Sequence, residues 1–498
     1  MTKKDLFAFS AILSILIICL LESSCNKEIF TQDPGKILQL EDDTLSFDTV
    51  FATIGSATRY LKIYNNNDQS IAIEKAFIAQ GNQSDFRMNI DGLQGNNIEH
   101  IEIRAHDSIY LFCEVTVNPN DPLELSPFIK MDSVILQYNG IQQSIVLMAW
   151  GQNANYFPAK LNKGQVSTID LKGTTMIWDD AKPYIIYGIV YFDNGTLIIP
   201  ENTKVHIWGG LTKAQDQNGE TFFYNDGRII IGPNANIKVM GTKEKPVIFQ
   251  GVRLESFFKD VPGQWSGIFI DKMSTGNEFH FAEIRNNLIG IVLDSLTECK
   301  IEETKIYNNT LYGLYASTAN LEMNNSLFYN QGSSSVILNT GGNYELNYCT
   351  FANYGNSDPA LFISNSRCID FPFCELIYEF PLKVLIRNSV ITGSDEDELW
   401  MSEKTSSTFE PVFQNCLFRI TDLTDVFPDF NSRFTSNCIN YFGYNKLFKD
   451  LNNEDFHPDT LSVLETKAIP ISKIQFDLDG VTRDAVNPDI GCYEYIVK

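Results

Sequence analysis

Phe279-His-Phe-Ala282-Glu-Ile284-Arg-Asn286, Ile301-Glu-Glu-Thr304-Lys-Ile306-Tyr-Asn308, Met323-Asn-Asn-Ser326-Leu-Phe328-Tyr-Asn330 and Leu346-Asn-Tyr-Cys349-Thr-Phe351-Ala-Asn353 repeat one pattern. Each copy reads apolar, two variable residues, small, variable, apolar, variable, Asn. The second apolar residues stand at 284, 306, 328 and 351, at intervals of 22, 22 and 23. A fixed period of that size marks stacked coils, each burying its apolar face against its neighbours. Helical periodicity does not account for the copies. Ala282 and Ile284, or Ser326 and Phe328, alternate as in a strand, and three residues earlier the phase slips, as at a corner. Asn tolerates the left-handed backbone of such corners. The pattern therefore places Asn325, Asn388 and Asn415 at the slip and Asn286, Asn308, Asn330 and Asn353 at the next bend, with Asn side chains bonding rung to rung.

Two more copies, Ile386-Arg-Asn-Ser389-Val-Ile391 and Phe413-Gln-Asn-Cys416-Leu-Phe418, follow at steps of 40 and 27 residues, which implies one large and one small insertion. A second ladder places Gly267, Gly290 and Gly313 at intervals of 23, so each coil carries at least three short strands. Together with the turn Gly263-Gln-Trp265-Ser-Gly267-Ile268, these repeats resemble the right-handed parallel β-helix proteins, over roughly residues 203–420. The resemblance implies an all-β fold, a right-handed parallel β-helix solenoid over residues 172–430. It implies little about activity, because this fold hosts lyases, hydrolases, adhesins and inert spacers.

Upstream, residues 37–153 change to short alternating strands separated by Asn, Asp and Gly turns: 44–51, 59–64, 71–77, 98–103, 108–115, 133–138 and 144–150. Seven such runs read as an immunoglobulin-like β-sandwich. The stretch Asn65-Asn-Asn-Asp68, with Phe86 and Gly151, resembles the modules that precede larger extracellular domains, where they space or contact. Downstream, residues 431–498 lose the period. Phe476-Asp477-Leu-Asp479-Gly480-Val-Thr-Arg483 and Asp489-Ile-Gly-Cys492-Tyr-Glu494 resemble the closing segment of exported bacterial β-helix proteins, with Cys492 in place of Ala. A cap or a stabilising tail is the expectation, rather than a catalytic element, since Asp-Gly is above all a turn former.

At the start, Lys3 and Lys4 precede a largely apolar run from Leu6 to Leu21, followed by Leu21-Glu-Ser-Ser-Cys25. Residues 1–24 are read as a signal peptide. The junction resembles a bacterial lipoprotein cleavage site, with Glu22 a departure from its pattern and Cys25 the acylated residue. An ordinary signal peptide and a short anchor helix are the alternatives. Residues 25–36 then form a lipid-attached linker, and the resemblance implies an exported protein anchored to the envelope, the outer membrane of a Gram-negative cell. The net charge of -24 argues against nucleic acid. Cys349 and Cys416 take the small inward position of the repeat, while Cys368 and Cys374 either pair or stay free.

Equivalent outward residues of successive rungs form rows about 4.8 Å apart. One row holds Glu283, Lys305 and Leu327, the next Arg285, Tyr307 and Tyr329. Arg285, Lys305, Tyr307 and Tyr329 are the candidate ligand-binding residues: they can hold sugar rings, or neutralise a uronate and take the proton beside it as a polysaccharide lyase does. They can equally be solvated surface. Asp271 and Asp294 form another row, read as turn starters, with a Ca²⁺ site or an acid/base pair as the functional alternatives. Five His without metal spacing, and the absence of a nucleophile elbow or phosphate loop, leave catalytic residues unassigned. The expectation is a binding or display protein for a glycan or another surface component. A lyase or glycoside hydrolase acting on a long glycan is the alternative, with the insertions 251–264 and 354–384 as cleft walls.

Overall fold

The computed structural model describes residues 30–51, 58–116, 128–152, 154–157, 165–209, 211–215, 221–254, 259–370, 373–443 and 446–496. The signal segment, Cys25 and the centre of the 251–264 insertion lie outside the described residues. The chain is nearly all β and forms two compact units, Met1–Asn153 and Ala154–Lys498. Among the described residues no helix is long and apolar enough to cross a membrane.

The first unit has two five-stranded sheets around one core. The first sheet orders Gln39–Leu40, Arg59–Asn65, Asp107–Val115, Phe86–Ile90 and Leu93–Gln94; the second orders Thr44–Phe51, Ile141–Gln152, Phe128–Tyr138, Ile71–Ile78 and Asn97–Ile103. Strand alternation fills the core: Leu61 and Ile63, or Ile109 and Leu111, point in while their neighbours point out. Thr44–Phe51 pairs in parallel with Ile141–Gln152. The sequence reading missed this because these strands stand at opposite ends of the unit, where no hairpin fixes their direction. Buried Asn65 donates from Nδ2 to the carbonyls of Gln69, Ile103 and Arg104 at 2.9, 3.0 and 3.0 Å, so it serves the backbone.

The second unit contains an eleven-stranded and a fifteen-stranded sheet, and every pairing within them is parallel, an arrangement consistent with a parallel β-helix. Phe249, Ile284, Ile306, Phe328, Phe351, Ile391 and Phe418 stand in register as one interior file. None is more than 1% exposed. Each such burial contributes about 1.5–3 kcal/mol, which is why this position stays apolar and large.

The corner beside that file explains the small residues. Ala282 N–H reaches Thr304 Oγ1 at 3.5 Å, Thr304 N–H reaches Ser326 Oγ at 3.4 Å, and Cys349 N–H reaches Ser389 Oγ at 3.0 Å. A hydroxyl on the next rung thus satisfies a buried corner amide. Left-handed residues precede each small one: Phe281, Glu303, Asn325, Tyr348, Asn388 and Asn415, with φ between 44° and 54°. At the following bend Asn286, Asn308 and Asn330 are left-handed. Asn353 is not; its amide reaches Asn356 Oδ1 and the Asp358 carbonyl. A Cβ on Gly267 or Gly290 would meet the carbonyl oxygen of Ile289 or Gly313 on the next rung, so the glycine ladder exists for close approach.

The larger insertion carries a short hairpin, Ser366–Cys368 with Ile377–Glu379, and the Cys368–Cys374 disulfide is formed. Residues 447–493 lie along the outer face of the eleven-stranded sheet. There Phe448, Phe456, Leu478, Ile490 and Tyr493 form a second core with Tyr307, Leu327, Tyr329, Val390 and Leu417. The closing segment therefore covers a lateral face of that sheet. Its anchors are the corner residues. Asn325, Asn388 and Asn415 donate from Nδ2 to the carbonyls of Phe476, Ile469 and Lys467 at 2.9, 2.8 and 2.8 Å. Rung-to-rung amide bonding occurs at the other bend, where Asn330 donates to Asn308 at 3.2 Å.

Candidate functional site

The closing segment decides what the candidate binding row does. Tyr307 and Tyr329 stack at 4.7 Å between centroids but are only 7% and 6% exposed, against Phe456. Arg285 donates to Tyr307 Oη at 2.9 Å and to Gln250 Oε1, while Tyr307 donates to Glu283 at 3.3 Å and Tyr329 to Glu454 at 3.2 Å. Half-buried Lys305 lies close enough to Asp479 to help hold that carboxyl down. Burial first, and then Glu283 beside Tyr307 and the stacked Tyr307 beside Tyr329, push both phenols well above their ordinary range. Neither is a base near neutral pH, and the expected outward tyrosine platform is an internal seam.

The Asp-x-Asp-Gly motif is built the same way. Buried Asp477 accepts the amides of Asp479, Val481 and Glu494 at 2.9, 2.7 and 2.8 Å. Arg483 pairs with Glu494 at 3.0 Å, donates to Asn325 Oδ1 at 2.7 Å and lies over the Tyr348 ring. His457 is held between Asp455 and Asp479 at 2.6 and 3.2 Å, and their hydrogen bonds raise its pKa above the usual value. Both ring nitrogens are engaged, so this histidine fastens the segment.

Asp271 and Asp294 each open a turn: Ser274 N–H reaches the Asp271 carbonyl and Thr297 N–H that of Asp294, both at 3.2 Å. Asp294 also accepts from Ser295 N and Oγ at 2.6 and 3.0 Å. Burial and then the neighbouring Asp294 raise the Asp271 carboxyl, as expected of adjacent carboxylates. Among the described residues the group of three His, Asp or Glu donors within reach of one ion is His280, Glu302 and Glu303, and neither Asp belongs to it.

His280 and Glu302 of that group lie on the outer face of the fifteen-stranded sheet, with Glu303 at the corner beside them, and register builds two polar rows on that face. One is Lys238, Glu278, Lys300, Glu322 and Glu345; the other is His280, Glu302, Asn324, Asn347 and Arg387. The rows are cross-linked. Lys238 meets Glu278 at 2.7 Å, His280 meets Glu302 at 3.1 Å, and Lys300 meets Glu302 at 2.9 Å. Asn324 donates to Glu302 and Glu322, both at 3.1 Å; Asn347 donates to Asn324 at 2.9 Å, and Arg387 donates to Asn347 at 2.8 Å. Burial pushes the Glu302 carboxyl up, but His280, Lys300 and Asn324 outweigh it and hold it at about 2. Glu303, at a left-handed corner, is instead raised by burial. Glu302 already accepts from three side chains, which leaves little of it for a metal ion.

The second row was open to discovery: its members occupy the second place of the first five quoted repeats, Gln414 holds that place in the sixth, and each is polar. A ligand laid across the rungs meets a polar side chain, donor or acceptor by turns, every ~4.8 Å.

No family model and no curated protein matches this chain. Among solved structures, the catalytic unit of a thermostable GH87 α-1,3-glucanase from Streptomyces thermodiastaticus strain HF3-3 aligns with 72% of this chain and 83% of its own, at 10% identity and TM-score 0.24. A family 123 glycoside hydrolase from Clostridium perfringens aligns with 38% of this chain and 44% of its own, at 7% identity and TM-score 0.18. A protein of unknown function from Porphyromonas gingivalis W83 aligns over 28% of this chain at 14% identity and TM-score 0.18, and this chain spans 59% of its length. Alignments at these scores carry no argument about function.

Proposed function

We propose that this chain is an exported lipoprotein, anchored through Cys25 to the outer membrane, whose right-handed parallel β-helix binds a glycan chain for display or retention at the cell envelope. An immunoglobulin-like module precedes the β-helix in this reading. The observation that carries it is the pair of polar rows, five residues each, held in register on one sheet face. Such a face offers an extended polymer a regularly spaced set of polar groups, charged along the Lys238 to Glu345 row, while Asn324 and Asn347 stay buried beneath it. The charge of -24 sets aside nucleic acid as the partner. A glycan-array screen of the full mature chain tests the reading, with Glu322→Ala/Glu345→Ala as the comparison. Loss of about tenfold or more in affinity is expected, the scale of one removed charged hydrogen bond. A wild-type protein that binds no glycan, or a variant that binds equally well, refutes it. Replacing Cys25 by Ser should release the protein from the membrane fraction.

A glycoside hydrolase is the second reading, favoured by one observation: adjacent carboxyls Glu302 and Glu303 are pushed in opposite directions, the usual division between an ionised group and a proton donor. Release of reducing ends, abolished by Glu302→Gln or Glu303→Gln, is its test. Lyase chemistry on Tyr307 or Tyr329 finds no support, since both phenols are buried and stay protonated.

A further inference from the structure

The first unit holds a feature that its role as a spacer does not use. On strands Arg59–Asn65 and Asp107–Val115 the inward residues Leu61, Ile63, Ile109, Leu111 and Cys113 fill the core. Alternation therefore sends Tyr60, Tyr110 and Phe112 outward, where they remain 57%, 39% and 37% exposed. Register sets Tyr60 opposite Phe112, and the three rings form a nearly equilateral cluster with centroids 5.6, 5.8 and 5.7 Å apart. Three large rings clustered in water are an unfavourable surface for a spacer and a favourable one for a ligand with an apolar face.

Beside the rings lies a cavity of about 720 Å³, lined by Phe112 together with Arg87, Asn89, Gln94, Asn96 and Glu114 among others. Asn89 stands opposite Phe112 in register, and its Oδ1 is buried without a hydrogen-bond partner. An unpaired buried amide oxygen costs free energy until a donor reaches it. We propose that this face is a second glycan-binding site, which takes a neutral pyranose. The ring cluster receives the C–H face of the sugar, and Asn89, Arg87 and Glu114 bond its hydroxyls. This assignment rests on the glycan-binding reading above for the kind of partner, and on independent residues for the place.

Charge selects a neutral sugar. Lys62 lies over the Tyr110 ring at 4.9 Å, and Arg87 and Glu114, which both line the cavity, stand opposite each other in register, so this face carries both signs of charge and no basic patch for a polyanion. The chain as a whole, at -24, repels polyanions.

The test is affinity electrophoresis and calorimetry of the full mature chain with neutral glucans and mannans, and with polygalacturonate as the anionic control. Tyr60→Ala and Phe112→Ala remove exposed rings, and thermal melts confirm that both variants fold. Each should weaken binding of the neutral polymer about tenfold, the double variant more, and Asn89→Ala about fivefold. Tyr60→Ala alone keeps the test open should Phe112→Ala fail to fold. Unchanged binding by the folded double variant, or a preference for polygalacturonate, overturns this site. If binding is then lost in Glu322→Ala/Glu345→Ala, the sheet-face reading stands without it. A wild-type chain that binds no glycan overturns both.

Discussion

Replacing Arg483 by Met should loosen the closing segment, and by an amount that depends on pH. Arg483 is 3% exposed on its side chain; it holds Glu494 at 3.0 Å, Asn325 Oδ1 at 2.7 Å and the Gly491 carbonyl at 3.1 Å. Breaking a buried pair by removing one partner costs about 3–5 kcal/mol, because the remaining charge is left uncompensated. Met fills much of the volume over Tyr348, so the apolar contact is largely kept. Glu494 has a second route to relief. Burial already raises its carboxyl above the usual value, and without the guanidinium it rises further. A group whose folded pKa is raised contributes stability below its unfolded pKa of about 4.3 and loses it as pH rises through the folded value. The cost of Arg483→Met should therefore be about 4 kcal/mol at pH 7. Near pH 4 it should shrink to the lost hydrogen bonds, about 2 kcal/mol. Urea unfolding of wild type and variant at both pH values, with limited proteolysis reporting on residues 447–496, gives the comparison. A cost below about 1 kcal/mol at pH 7, or one that grows on acidification, would refute the view that this arginine carries the latch.

Asn388 combines a left-handed backbone, φ 54°, with bonds to both the N–H and the carbonyl of Ile469. Asn388→Ala should cost about 3 kcal/mol and Asn388→Gly about 2 kcal/mol by denaturant titration, since Gly restores only the backbone freedom; equal costs would mean that the conformation adds nothing. His280 is raised above its ordinary pKa chiefly by Glu302, so its contribution is complete below about pH 6.5 and fades as pH rises through the folded value. Unfolding midpoints of His280→Gln should lack that fall, and an identical pH profile would contradict the pairing. Glu302, at about 2, contributes above about pH 4.3 and is lost as pH falls toward 2, a slope that Glu302→Gln should abolish. In mass-spectrometric alkylation of the unfolded, unreduced protein, Cys368 and Cys374 should stay unlabelled while Cys113, Cys299 and Cys349 react; labelling of Cys368 would exclude the bridge.

The interior of the stack was legible because one side chain recurs over another at each rung: Ile284, Ile306, Phe328 and Phe351 form the file that their spacing demanded. Corners were legible for Asn325, Asn388 and Asn415, but Phe281, Glu303 and Tyr348 adopt the same left-handed backbone without any local signal. The candidate site was misplaced for a long-range reason. Phe456 and Glu454 cover Tyr329 from more than a hundred positions away, and no period connects them. One hint was present, since the row that begins with Glu283 and Lys305 continues through Leu327, Thr350, Val390 and Leu417 and so loses its charges and becomes mostly apolar. An outward row that turns apolar announces a cover. The polar row from His280 to Arg387 was equally readable, but it fell in places that the repeat left unconstrained.

Because the last part of the chain closes the flank of rungs made much earlier, the stack cannot be finished in the order in which it is synthesised. As the chain emerges the rungs can assemble one upon another while a strip of Tyr307, Leu327, Tyr329, Val390 and Leu417 waits unroofed for residues 447–493 to arrive. A stop codon shortly after residue 440 would leave every rung present and one wall missing. Such a product is exposed to proteases and to other nascent copies along that strip, so residues 447–493 mark a molecule whose flank is closed.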